Sequence, residues 1–162
     1  MKKMTSRKLV IFVALLITLC TTVLSPSFAL FDKTRFVTDM GVAFFCFHHF
    51  VYKPYKAGSF ATGTPHRTKA LVKGGVALLF ALNRVKAANK IAHNSKDPWL
   101  QGLAGSLDKM SASFASVGDK LKGGKFNAAD VDGLNGTVDK VGAGAAAGGA
   151  PIKDIEVPVP GG

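Results

Sequence analysis

The pattern that most limits the fold of this chain is a heptad-like spacing of large apolar residues in its second half. Seven such residues follow one another at intervals of three and four, which places them on one side of an α-helix. They are Leu100, Leu103, Leu107, Met110, Phe114, Val117 and Leu121. Asp97-Pro98 gives an N-cap followed by proline at the first helical position, and Gly123-Gly124 ends the run. The spacing predicts a helix over 98–122 that packs against neighbouring helices of the same molecule.

Aromatic residues are concentrated in a second predicted helix over 32–53. Its apolar face consists of Phe36, Met40, Phe44, Phe47 and Val51, widened by Val37. The opposite side carries Thr38, Asp39, Val42, Cys46, His49 and Lys53, and Arg35 stands one turn before Asp39. We therefore expect a surface ion pair between Arg35 and Asp39, and the proline that follows residue 53 is expected to end the helix.

Two further helices are predicted, over 65–93 and 128–141. Thr64-Pro65 repeats the cap-then-proline signature, and Asn127 caps the last helix. Gly74-Gly75 in the interior of the first of these helices predicts close approach by another helix, or a kink. The core stripes are Leu71, Leu78, Leu82 and Val85 in the first, and Val131, Leu134, Val138 and Val141 in the second.

These patterns predict an all-α fold. The helical bundle domain should span 30–141 and contain three long helices and one short helix, with the Pro- and Gly-containing stretch 54–64 as a connecting loop. Residues 142–162 are rich in Gly, Ala and Pro and are expected to form a flexible low-complexity tail whose last part lies extended.

The first 29 residues have the pattern of a cleaved secretory signal peptide. Four cations precede an apolar run at 9–19, and Ser27-Phe28-Ala29 supplies small residues at the cleavage positions. The pattern predicts a secreted, periplasmic or cell-envelope protein that begins at Leu30. The alternative, an N-terminal membrane anchor, is disfavoured because the apolar run is shorter than the ~20 residues of a membrane-spanning helix. Cleavage would leave Cys46 as the only cysteine, so no intramolecular disulfide would form.

Charge is distributed unevenly along the chain. Residues 40–96 contain nine Lys and Arg residues and no Asp or Glu, whereas eight acids and six lysines follow from Asp97 onward. Loss of the four leader cations would lower the formal net charge from +11 to +7. The first half of the bundle is therefore predicted to present a cationic surface.

The residues predicted to bind a polyanion are His66, Lys69, Lys73 and Arg84, which ring Phe80 on one side of a helix. Polyanions bind such surfaces through charge neutralisation and counterion release. For an exported protein the expected partners are anionic lipid, wall polymer, polysaccharide or extracellular DNA, with a protein partner as a further alternative.

A haem or transition-metal site is the main alternative function. Cys46 and His49 stand three residues apart on one helical face, and thiolate and imidazole both suit zinc or copper. His48 is the third candidate ligand, although adjacent helical residues diverge by about 100°.

Enzymatic activity is not predicted. Cys46 and His49 lack the surroundings of a known nucleophile signature, and the glycines at 142–149 do not follow a strand as a phosphate-binding loop would require. A membrane-active toxin is a further alternative, because GGVALLFALN at 74–83 is apolar almost all round, although helices of this kind are usually buried in a core.

Overall fold

The computed structural model describes residues 26–159, and their secondary structure consists of helices and connecting loops. The elements in chain order are α1 (Pro26–Phe47), a π-helical turn (His48–Tyr52), the one-turn α2 (Lys53–Lys56), α3 (Arg67–Asn94), α4 (Pro98–Lys122) and α5 (Ala128–Ala147). The predicted all-α bundle is confirmed. Residues 1–25 of the predicted leader lie outside the described part, and residues 26–29 form the first turn of α1.

The helix α4 has the predicted bounds and the predicted buried side. All seven residues of its apolar series are buried, and Asp97 caps the helix by accepting a hydrogen bond from the Trp99 N–H at 2.9 Å. The most extensive contact between helices joins α3 and α4. A Cβ at Gly75 would meet the backbone nitrogen of Lys122 and lie 2.7 Å from the Gly118 carbonyl oxygen. The predicted close approach at Gly75 is confirmed.

The middle of α1 is buried on more sides than its apolar stripe predicts. The stripe itself is buried, but Asp39, Val42 and Cys46, which we expected on the outer side, are buried as well. The expectation was wrong because α3 covers one flank of α1 and the extended segment 151–159 covers another. The N–H of Ile155 donates to the carbonyl oxygen of Gly41 at 3.0 Å. A Cβ added at Gly41 would meet the same extended segment.

The helical path after α1 continues past residue 53, where the sequence predicted its end. The Lys53 N–H donates to the carbonyl oxygen of His48, five residues back, which is the hydrogen bond of a π-helical turn. The helix then resumes in α2 with Pro54 in its first turn.

The helix α3 begins at Arg67 rather than at residue 65. His66 adopts a left-handed conformation with φ of 60°, which interrupts the helix before Arg67. The Thr64 hydroxyl donates to the carbonyl oxygen of Gly58 at 3.2 Å and does not cap the helix, so that prediction was wrong. The loop before it supplies a core residue that the sequence pattern did not indicate, since Phe60 is buried.

The last helix, α5, continues six residues beyond its predicted end and includes part of the predicted tail. Alanine is the strongest helix former, Ala145 is buried, and the indole N–H of Trp99 donates to the carbonyl oxygen of Gly144 at 2.9 Å. Residues 151–159 then run extended, as predicted for the end of the chain, and their apolar side chains pack against the core. The core-facing side chains of this segment are Ile152, Ile155, Val157 and Val159.

Candidate anion-binding surface

Helices α1 and α3 lie side by side in opposite directions and share one solvent-facing surface, which we call the α1–α3 face. The Phe50 carbonyl oxygen would lie 2.9 Å from a Cβ at Gly74, while Asp39 meets Arg84 further along. Each helix contributes one row of exposed or half-buried side chains. The rows are Phe31, Arg35, Thr38, Phe45 and His49 on α1 and its π-helical turn, and Lys69, Lys73, Phe80, Arg84 and Lys90 on α3.

Arg84 links the two rows. Its Nη1 lies 3.5 Å from the Asp39 carboxylate, and its guanidinium lies 5.9 Å from the centre of the Phe80 ring. The Asp39 side chain is only 10% exposed, whereas Arg84 is 48% exposed. Asp39 is the only acid of the sequence between residues 33 and 96. The predicted Arg35–Asp39 pair is therefore replaced by a contact between helices, and the acid contributes little negative surface.

An aromatic cluster occupies the face at the π-helical turn. The His49 ring stacks on Phe45 with centroids 5.1 Å apart, and Phe50 meets both rings edge-on at 6.0 and 4.8 Å. The Lys73 ammonium lies 5.3 Å from the centre of the Phe50 ring. The cluster depends on the π-helical turn, because a wider turn brings residues five apart to the same side.

The residues predicted to bind a polyanion are partly brought together. Lys69, Lys73 and Arg84 lie on one side of α3, with Lys73 against Phe50 and Arg84 against Phe80. His66 is exposed in the turn before α3, beyond the end of the row. Lys90 was not in the predicted set, and it lines a groove of about 350 Å³ together with Arg35 and Asp32 of α1.

The lysines of the α3 row lack carboxylate partners within the described chain. Of the ion pairs found between residues 26 and 159, none involves Lys69, Lys73 or Lys90. Their ammonium groups are therefore available to an external anion, whereas the charge of Arg84 is shared with Asp39.

The predicted metal ligands occupy different environments. Cys46 is completely buried, and this burial raises the pKa of its thiol to about 11 against an opposing effect of Arg84, so the thiol is protonated at neutral pH. His49 is exposed, and His48 is half-buried with its Nδ1 2.9 Å from the carboxylate of Asp154. Between residues 26 and 159 no group of three or more His, Cys, Asp and Glu side chains is placed to hold a metal ion. This geometry gives no support to the haem or metal alternative.

Comparisons with protein-family models, with curated proteins and with solved structures gave no match to this chain. Within the part of the chain that the structure describes, no helix combines the length and the apolar composition that a bilayer span requires.

Proposed function

We propose that this protein is an exported, non-catalytic binding protein whose α1–α3 face contacts an anionic partner in the cell envelope or outside the cell. The observation that carries the proposal is the row of lysines on α3 without carboxylate partners. Lys69, Lys73 and Lys90 are exposed or half-buried along one helix, and Asp39, the acid of α1 that contacts α3, is buried against Arg84.

The physical basis of this binding is electrostatic. A row of like charges on one helix raises the local potential, attracts polyanions and releases their condensed counterions on contact. The cost of holding unpaired lysines together is low in water, because exposed charges are screened beyond about 8 Å at physiological ionic strength. The row of lysines is therefore tolerated in the free protein, and it is stabilised most when a polyanion covers it.

Export is the second part of the proposal and rests on the leader pattern of residues 1–29. We expect the extracellular or envelope fraction to contain a chain that begins at Leu30, which mass spectrometry of the purified protein will identify. Recovery of the chain from Met1 in the membrane fraction would replace export with N-terminal anchoring and leave the binding surface to be tested separately.

Binding is tested with two triple variants of equal charge change. The first, Lys69→Gln, Lys73→Gln and Lys90→Gln, removes the α3 row but keeps Arg84 on Asp39. The control removes three exposed lysines without carboxylate partners among the described residues, as Lys109→Gln, Lys125→Gln and Lys140→Gln. Affinity for polyphosphate and for anionic vesicles is measured over a series of salt concentrations.

Wild type and control should lose affinity steeply as the salt concentration rises. In the first variant the slope of log K against log salt should be shallower, by about one for each lost contact. Equal effects of both triple variants would show that net charge alone drives binding, and would remove the role of the α1–α3 face. A wild type that binds neither polyphosphate nor anionic vesicles at low salt would end the proposal.

A further inference from the structure

The α1–α3 face combines its charge with apolar surface of a kind that a soluble polyanion does not need. The most exposed large hydrophobic residues of the described chain are Leu30 and Phe31, at 69% and 77%, and Val72, at 38%, which directly precedes Lys73. Phe45, Phe50 and Phe80 are half-buried, so their outer edges meet solvent beside the cations. Aromatic rings placed among cations are typical of proteins that lie at a membrane surface.

We infer that the anionic partner is the surface of a lipid bilayer with acidic phospholipids, and that the α1–α3 face lies flat upon it. This inference rests on the proposed function and names its partner. Lysine and arginine would contact the lipid phosphates, each contact strengthening attachment to an anionic bilayer. The phenylalanine rings would enter the boundary between head groups and acyl chains.

The arrangement of the rows fits this orientation. The α1 row runs from Phe31 to His49, a length of about 27 Å at 1.5 Å per residue, so the face is long enough to cover several lipids. Two cations lie directly over aromatic rings, Lys73 over Phe50 and Arg84 over Phe80. On the bilayer, each pair would hold its charged group at the level of the phosphates while the ring beside it enters the boundary between head groups and acyl chains.

The surface between α4 and α5 provides an internal contrast. Its groove of about 420 Å³ is lined by small or polar residues such as Ala112, Ser113 and Ser116, together with the carboxylate of Asp130. The groove offers no aromatic ring, and its one carboxylate is paired with Lys120 at 2.9 Å, so it presents neither an aromatic ring nor an unpaired cation to a bilayer. This surface should remain in water when the α1–α3 face is bound.

The test places a tryptophan on each surface. The Phe80→Trp and Ala112→Trp variants are mixed with vesicles of equal parts phosphatidylcholine and phosphatidylglycerol, with and without bromine on the acyl chains, and fluorescence quenching is measured. Trp99 contributes the same background to both proteins. A second pair, wild type and Phe31→Ser/Phe80→Ser, is compared for affinity towards these vesicles and towards soluble polyphosphate, with circular dichroism to check that the fold is retained.

We expect brominated lipid to quench the tryptophan at position 80 and to leave the tryptophan at position 112 unaffected. Removing the two rings should weaken vesicle binding about tenfold and leave polyphosphate binding unchanged, because only the bilayer offers an apolar phase. The lipid inference would be overturned if brominated lipid did not quench position 80 and if the double variant bound vesicles, like polyphosphate, as tightly as wild type does. The partner would then be a soluble polyanion, and the proposed function would stand. Absence of binding to either would end both.

Discussion

The α1–α3 face and the surface formed by α4 and α5 both carry exposed lysines, but they differ in where the carboxylates are. On the second surface, Lys120 pairs with Asp130 at 2.9 Å, and the exposed Lys109 and Lys140 each directly follow an aspartate in the sequence. On the α1–α3 face the only acid in the middle of α1 is buried under Arg84, and the lysines of α3 are left without partners. The availability of lysines to a partner is therefore decided by their neighbours as well as by their number.

The largest expected effect concerns the contact that holds α3 in place. In Gly75→Ala the added methyl group would meet the backbone of α4 at Gly118 and Lys122, which rotamer changes cannot relieve. We expect the free energy of unfolding to fall by about 3 kcal/mol. Chemical denaturation with urea measures this loss.

The matched control on the other surface is Gly133→Ala in α5. A Cβ at Gly133 meets no atom within 4 Å, so alanine should stabilise the helix by up to about 1 kcal/mol. Equal effects of the two substitutions would contradict the packing of α3 against α4.

The next prediction distinguishes the role of the buried Asp39 in stability from its effect on anion binding at the exposed lysines. Arg84→Gln leaves the Asp39 carboxylate without its partner and should lower the free energy of unfolding by about 1–2 kcal/mol. Asp39→Asn removes the acid buried beneath Arg84 and should strengthen binding to polyphosphate while costing less stability. Denaturation curves and binding isotherms for the two single variants and the double variant measure both quantities. A weaker affinity in Asp39→Asn would contradict the view that Asp39 opposes anion binding.

The smallest effect is a pH dependence at Asp97, an acid of the second half that supports the fold. The pKa of its carboxyl group is lowered chiefly by the hydrogen bond from Lys33 and also by the Trp99 N–H, while partial burial opposes the shift. The ionised Asp97 carboxylate therefore stabilises the fold fully above the ordinary aspartate pKa, and this stabilisation is lost as the pH falls through the lowered pKa. Because asparagine caps helices equally well, Asp97→Asn should differ from wild type only slightly at neutral pH, and the difference should vanish well below about pH 4. A difference that stays constant across this range would contradict the assigned role of the Lys33 pair.

The sequence predicts α4 well and α1 less well, for a physical reason. A helix with one covered side shows that side in its apolar periodicity, and all seven residues of the series from Leu100 to Leu121 are buried. In α1 a second flank, which includes Asp39 and Cys46, lies beside Arg84 of α3, and a third is covered by residues 151–159, whose pairing with Gly41 leaves no periodic signal. The burial of Cys46 and Val42 therefore could not be predicted from the spacing of α1 alone.

The candidate site was predictable in its charge but not in its aromatic part. The absence of acids from 40 to 96 predicts a cationic surface, and Lys69, Lys73 and Arg84 were among the residues predicted to bind a polyanion there. Phe45 and Phe50 would diverge by about 140° in a regular α-helix, so only the π-helical turn explains their contact. The contact between Asp39 and Arg84 joins residues 45 positions apart, for which the sequence pattern gave no local signal.

Lysine acetylation followed by mass spectrometry, with and without polyphosphate, tests whether the anion binds at the α1–α3 face. The reaction compares Lys69, Lys73 and Lys90 of the α1–α3 face with Lys109, Lys125 and Lys140 elsewhere, all within one protein and one experiment. Bound polyphosphate should slow acetylation of the first three by about tenfold or more and leave the second three unchanged, because a covered ammonium group cannot react. Equal protection of all six lysines would show that the anion binds by net charge alone, and would contradict the assignment of binding to the α1–α3 face.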